Sequence, residues 1–199
     1  MAPPVRDRRQ ELYERYQQVP EHLVAEIVRG TLYVMPRPAP RHANASSVLG
    51  GDLNGPFQRG RGGPGGWWIL DEPELHLVEL EPMIPDLAGW RVERMPELPE
   101  TAYFTVVPDW VCEVVSKSTE ALDREKKLPL YAEQGVKHAW LVDPIAQTLE
   151  VRTLGDEGQW REVRVYQGDA KVRAVPFEAI EIELGGLWGA PPVRGELRG

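Results

Sequence analysis

A single cysteine, Cys112, stands in 199 residues. That excludes an internal disulfide and a multi-cysteine zinc centre. The four histidines, His22, His42, His76 and His138, are scattered without ligand spacing, so no zinc site is expected from them. No run of about 18 apolar residues exists, so no transmembrane helix is expected. The opening MAPPVRDRRQELYERY lacks the apolar segment of a secretory signal, and a reducing cytoplasm is the expected compartment. Basic residues are in deficit, 23 Lys and Arg against 31 Asp and Glu, for a formal net charge of −8. That argues against a generic basic coat for nucleic acid. It leaves room for a local basic groove, or for an acidic cluster that needs a cation.

Proline and glycine, 19 of each, punctuate the chain. The length suits one domain, expected over residues 1–188 with a frayed tail from Gly189. A short helix is expected over residues 5–18. A hairpin follows, His22 to Val28 and Thr31 to Met35, joined by Arg29-Gly30. After Pro36, Pro38 and Pro40, a helix runs from Arg41 to about Leu53. Residues 55–66 are rich in glycine and proline and read as a mobile surface loop without regular structure. Its ending lacks the Gly-Lys-Ser/Thr of a phosphate loop. It is either a plain linker or, because Arg59 and Arg61 sit in it, a substrate-facing segment.

Strands are expected at Trp67 to Leu70, Leu75 to Leu80, Met83 to Trp90 and Trp110 to Val115, the last an apolar run suited to a central strand. Ser116 to Thr119 caps a helix from Glu120 to Glu133, which Pro129 should kink or split and Gly135 should end. His138 to Val142 is the next strand. A hairpin joins Leu149 to Leu154 with Trp160 to Tyr166, and short strands follow at Val172 to Val175 and Ile180 to Leu184. The strand–helix–strand unit from Trp110 to Val142 predicts a parallel pair, hence a mixed α/β sheet.

Asp86 and Glu113 are carboxylates inside apolar runs. Burying such a charge is costly unless it is paired, hydrogen-bonded or bound to a cation. A divalent metal shared by the two would remove their repulsion, and Mg²⁺ commonly takes one or two carboxylates and keeps waters. Glu26, in Leu23-Val24-Ala25-Glu26-Ile27-Val28, is a third acid of this kind, and Lys127 is the candidate cation on the helix after Glu113. Each has a plainer reading. Asp86 would cap a turn, Glu113 would pair with an arginine, Glu26 would face solvent in an edge hairpin, and Lys127 would be one of several solvated helix charges. Cys112, next to Glu113, points to the opposite face as an apolar filler. No Gly-x-Ser-x-Gly elbow is present.

Leu32-Tyr33-Val34-Met35-Pro36, Pro40-Arg41-His42, Pro85-Asp86-Leu87, Pro108 to Thr119, Lys127 to Tyr131, Gly135-Val136 and Trp140 to Pro144 together resemble the Uma-two family of restriction-endonuclease-like proteins, over roughly residues 10–155. The resemblance implies the PD-(D/E)XK nuclease fold, a central mixed sheet flanked by helices. It also implies a divalent-metal phosphodiesterase acting on DNA, with Mg²⁺ or Mn²⁺ as cofactor. It makes Asp86 the motif aspartate, Glu113 the second acid, Glu26 the acid of the N-terminal element, and Lys127 a lysine relocated to the helix. The usual lysine position, two residues after the second acid, is Val115 here. Lys117 is therefore a rival for that role.

On this reading Asp86 and Glu113 hold the metal, Lys127 positions or deprotonates a water, and Glu26 tunes the metal. His42, Arg41 and Lys117 are candidate substrate contacts, and a homodimer is a further expectation. The alternatives are an inert nucleic-acid or protein binding module on the same fold, with a basic, aromatic groove, and a structural or dimerising protein. The seven tryptophans would serve the latter as an interface, or would simply fill the core.

Overall fold

The computed structural model describes residues 7–189, apart from the Glu162 side chain. The expected frayed tail therefore lies outside the described residues except for Gly189.

Helix α1 (Arg8–Gln17) starts where the Asp7 carboxylate accepts from Arg9 N at 3.1 Å. Strands β1 (Leu23–Val28) and β2 (Thr31–Pro36) pair antiparallel in register Glu26↔Tyr33. Arg29 and Gly30 both take positive φ, 52° and 68°, the geometry a two-residue hairpin turn demands. The buried Glu81 carboxylate holds that turn by accepting from Arg29 N at 2.9 Å and Gly30 N at 3.1 Å. Helix α2 (Pro40–Leu53) begins on a proline, which suits a first-turn position, and continues as a π-helical turn over Asn54–Gln58. Regular structure thus reaches four residues into the stretch expected to have none.

The main sheet has six strands in the order β10-β9-β8-β7-β6-β3. They are β3 (Trp67–Asp71), β6 (Leu87–Arg91), β7 (Trp110–Val114), β8 (His138–Asp143), β9 (Thr148–Leu154) and β10 (Trp160–Gln167). A small pair, β4 (Leu75–Val78) and β5 (Glu81–Met83), precedes β6, and β11 (Lys171–Val172) pairs with β12 (Ile182–Glu183) near the end. All neighbours in the main sheet are antiparallel except β7 and β8, which run parallel as the strand–helix–strand unit predicts.

The crossover between β7 and β8 is α3 (Glu120–Leu122), a π-helical turn over Asp123–Lys127, and α4 (Leu128–Glu133). Pro129, expected to kink or split the helix, sits in the first turn of α4. Its missing N–H cannot close an ordinary helical bond, and the π turn just before it absorbs the defect. Gly135, at φ 85°, ends the helix as Val136 N donates to Tyr131 O at 3.0 Å.

The expected strand Met83 to Trp90 is broken in two. Pro85 has no amide to give a ladder, and the Ile84 amide is taken by Glu26 Oε1 at 2.6 Å. Asp86 therefore lies in the gap between β5 and β6. Strands β11 and β12 are shorter than the expected late strands.

Alternation along β7 divides two cores. Trp110, Cys112 and Val114 face α2 and the C-terminal segment, where Trp110, Trp140 and Phe177 pack edge to face. Val111 and Val115 face the crossover helix with Leu128, Tyr131 and Leu141. Cys112 is buried in the first core, on the face opposite Glu113, as the alternation requires. Five of the seven tryptophans are buried and Trp68 and Trp160 are half-buried, so none is exposed for an interface. No described helix is long and apolar enough to cross a membrane.

Candidate active site

Four elements converge at the C-terminal end of β7. β1 delivers Glu26, the β5–β6 gap delivers Asp86, β7 delivers Glu113, and the π turn delivers Asp123 and Lys127. A π turn widens the helix by one residue, which places Asp123 and Lys127 together on its inner side. Both are buried.

Lys127 is 2 % exposed and lies at the centre. Its Nζ is 2.8 Å from Glu26 Oε1 and 2.9 Å from Glu113 Oε1, and it donates to the Ile84 carbonyl at 3.1 Å. These three contacts match the three hydrogens an ammonium owns. Asp123 Oδ1 is further away, at 3.9 Å. Tyr131 OH donates to the same Glu113 Oε1 at 2.6 Å. Asp86 is tied across the sheet, where its Oδ2 accepts from Val114 N at 2.6 Å. His42 Nε2 lies 3.2 Å from Asp86 Oδ1, while the buried His42 Nδ1 has no hydrogen-bond partner among the described residues.

The electrostatics follow from burial and crowding. Burial pushes the Glu113 carboxyl well above the usual range; Lys127 pulls it back, and Asp123, Asp86 and Glu26 push it further up. Burial alone would lower the Lys127 ammonium, yet Glu113, Glu26, Tyr131 and Asp123 together hold it well above its ordinary value. Lys127 is therefore a fixed positive charge. Burial also raises Asp123, to about 6, against the opposing pull of Lys127 and a Thr119 hydrogen bond. Burial and Glu113 raise Tyr131, which stays a donor. His42 is raised overall: burial lowers it, and its bond to Asp86 more than compensates.

Two connected hollows lie here. An inner cavity of about 150 Å³ is lined by Glu26, Asp86, Glu113, Asp123, Lys127 and His42, with Glu72 and Arg37 also on its wall. An outer groove of about 610 Å³ shares Pro38, His42, Glu72 and Asp86 with it and extends along α2 to Arg59 and Arg61.

Asp86, Glu113, Glu26, Lys127 and His42 are thus brought to one cavity. Arg41 and Lys117 are not: both are exposed, and neither lines either hollow. Glu26 is buried rather than solvent-facing, and Glu113 pairs with a lysine rather than an arginine. Asp123, Glu72 and Tyr131 were missed by sequence reasoning. Asp123 stands in a charged run, Asp123-Arg124-Glu125-Lys126-Lys127, that reads as a solvated face at ordinary helical spacing, and Tyr131 reads as core. Among the described residues, no group of three or more His, Cys, Asp or Glu is arranged to hold a metal ion.

A mixed sheet with one parallel pair, and acids gathered beside a lysine at the end of its central strands, define the restriction-endonuclease-like class of fold. The chain matches, over residues 10–185, the family model Uma2, described as "Putative restriction endonuclease", and it belongs to that family. It also resembles a solved structure described as a putative nuclease belonging to DUF820 from Anabaena variabilis. That likeness has a TM-score of 0.69 at 22 % identity and covers 88 % of this chain and 96 % of the other. No curated protein matches the chain.

Proposed function

We propose that this chain is a divalent-metal-dependent nuclease that hydrolyses phosphodiester bonds in nucleic acid, DNA being the expected substrate. The observation that carries the reading is the meeting of Asp86, Glu113 and Lys127 on one small cavity at the end of β7. The donor set suits Mg²⁺ or Mn²⁺: hard carboxylate oxygens, two of which are enough when water supplies the other ligands. The cavity, at about 150 Å³, has room for an ion with water beside it. Asp86 and Glu113 would hold the ion, which when bound supplies Lewis-acid polarisation of the phosphate and acidifies water.

The remaining roles belong to the chain. Of the two roles open to Lys127, holding positive charge is favoured over abstracting a proton, because a protonated amine with raised pKa has no lone pair to offer. Its ammonium offsets charge that develops on the phosphate. Glu26 fixes Lys127 in place and is itself fixed by the Ile84 amide. His42 borders both hollows, where an imidazole can bond a phosphate oxygen. Lys117 stands on an exposed turn, so the lysine role goes to Lys127. Water attack in line forms one P–O bond as another breaks, and no covalent intermediate is required.

A structural protein would pair these carboxylates with arginines, and they are not so paired. The test is cleavage of labelled DNA with Mg²⁺ or Mn²⁺. Glu113→Gln should lose metal-dependent cleavage with its circular dichroism unchanged, and equal activity in that variant would refute the assignment.

A further inference from the structure

The outer groove narrows the substrate. One wall is α2, which presents Ser47, Gly51 and Asn54 to it, and the far rim is the segment after the π turn, with Arg59 and Arg61. That rim is not a slack linker. Arg59 N donates to Asn54 O, Arg61 N to Gly55 O and Gly65 N to Pro56 O, all at 2.9–3.0 Å. Gly63 packs so closely that an added Cβ would lie 2.4 Å from Pro56 Cβ, and Gln58 Oε1 accepts from the Ile69 amide at 2.8 Å. Both arginines are exposed, and among the described residues neither makes an ion pair. Arg29, Arg37, Arg94, Arg124, Arg152 and Arg161 have carboxylate partners; Arg59 and Arg61 are not alone in forming no ion pair, but of the arginines they are the two that line this groove. In a chain with an excess of acids, two unpaired guanidinium groups held on a fixed rim suit an anionic ligand.

Gly51 adds a second indication. A Cβ there would meet nothing within 4 Å, so packing of the chain does not require glycine at this position. Its missing side chain leaves groove space open.

We propose, building on the nuclease reading, that this groove takes a single-stranded nucleic acid, with phosphates on Arg59 and Arg61, in preference to a duplex. Three observations point this way. The groove, at about 610 Å³, falls in the range of about 300–1,000 Å³ typical of small-ligand sites. Asp86 lines the groove itself, but Glu113 is buried and borders only the inner cavity, so a phosphate must turn inward to come between the two acids. A single strand turns easily, whereas a duplex is a rod with a persistence length of about 150 bp. Finally, the rim offers two cations rather than a basic surface, and Asp71 and Glu72 nearby repel a densely charged duplex.

The test is fluorescence anisotropy with a labelled 12-nucleotide strand and the same strand annealed to its complement, in Ca²⁺, over a range of salt. The single strand should bind at least about tenfold more tightly. Two phosphate contacts predict a log–log salt slope of about −1.4, falling to about −0.7 in Arg61→Ala. Arg59→Ala and Arg61→Ala should each weaken binding about tenfold, the scale of one charge-assisted hydrogen bond. Gly51→Leu, on an exposed helical face where leucine is the better helix former, should fold and block the groove. Equal or tighter duplex binding, absence of binding, or wild-type affinity in the arginine and Gly51 variants would overturn the proposal. Cleavage is scored separately in Mn²⁺: binding without cleavage defeats the nuclease reading and leaves the groove assignment standing.

Discussion

Tyr131 and Lys127 hold the same oxygen of Glu113, the phenol at 2.6 Å and the ammonium at 2.9 Å. The two residues lie one helical turn apart, on either side of the change from π-helical to α-helical geometry. Two donors on Oε1 fix the orientation of the carboxylate and direct its other oxygen away from them.

Tyr131→Phe removes one of these donors without leaving a cavity. It should lower stability by about 1–3 kcal/mol, the cost of a buried acceptor losing a partner, read from urea denaturation. It should also weaken Mn²⁺ binding, because Glu113 is held less firmly. An unchanged denaturation midpoint together with unchanged Mn²⁺ affinity would show that the phenol does nothing for Glu113.

Lys127→Ala strips the shared cation from Glu26 and Glu113 and leaves buried carboxylates uncompensated. A loss of about 3–5 kcal/mol at neutral pH is expected. Lys117→Ala, on an exposed turn, should stay within about 0.5 kcal/mol of wild type and keep its activity. Acid should partly rescue Lys127→Ala by protonating the acids. If Lys117→Ala were the more damaging to cleavage, the lysine role would move there.

Asp123 makes stability depend on pH. Its folded pKa of about 6 lies above the ordinary 3.8, so between those values the folded chain holds a proton that the unfolded chain has released. Stability therefore falls as pH rises through that window, by on the order of 2–3 kcal/mol for a shift of about two units. Asp123→Asn should flatten this slope and be the more stable protein at pH 8. A thermal-melt series from pH 4 to 8 checks this, and an unaltered slope in the variant would contradict it.

The fold was legible where periodicity and punctuation agreed. The Arg29-Gly30 hairpin and the parallel partners of the crossover follow from turn chemistry and apolar runs. Asp86 and Glu113 stood out because an acid in an apolar run must be compensated. The two π turns were not legible, since periodicity at 3.6 residues per turn cannot register an extra residue. For that reason Asp123 passed as a solvated charge. Residues 55–66 misled through composition: their glycines suggest slackness, yet backbone bonds to Gly55 and Pro56 pin them. Strand β5 ended early because Glu26, distant in sequence, captures the Ile84 amide. Arg41 and Lys117, expected at the substrate from their neighbours along the chain, are exposed and line neither hollow.

The central claim is that Asp86 and Glu113 share one divalent cation. Isothermal calorimetry with Mn²⁺ on the wild type, Asp86→Asn and Glu113→Gln tests it most directly. The account predicts saturable binding to the wild type and its loss in both variants, with folding intact by circular dichroism. Undiminished Mn²⁺ binding in either variant would contradict it.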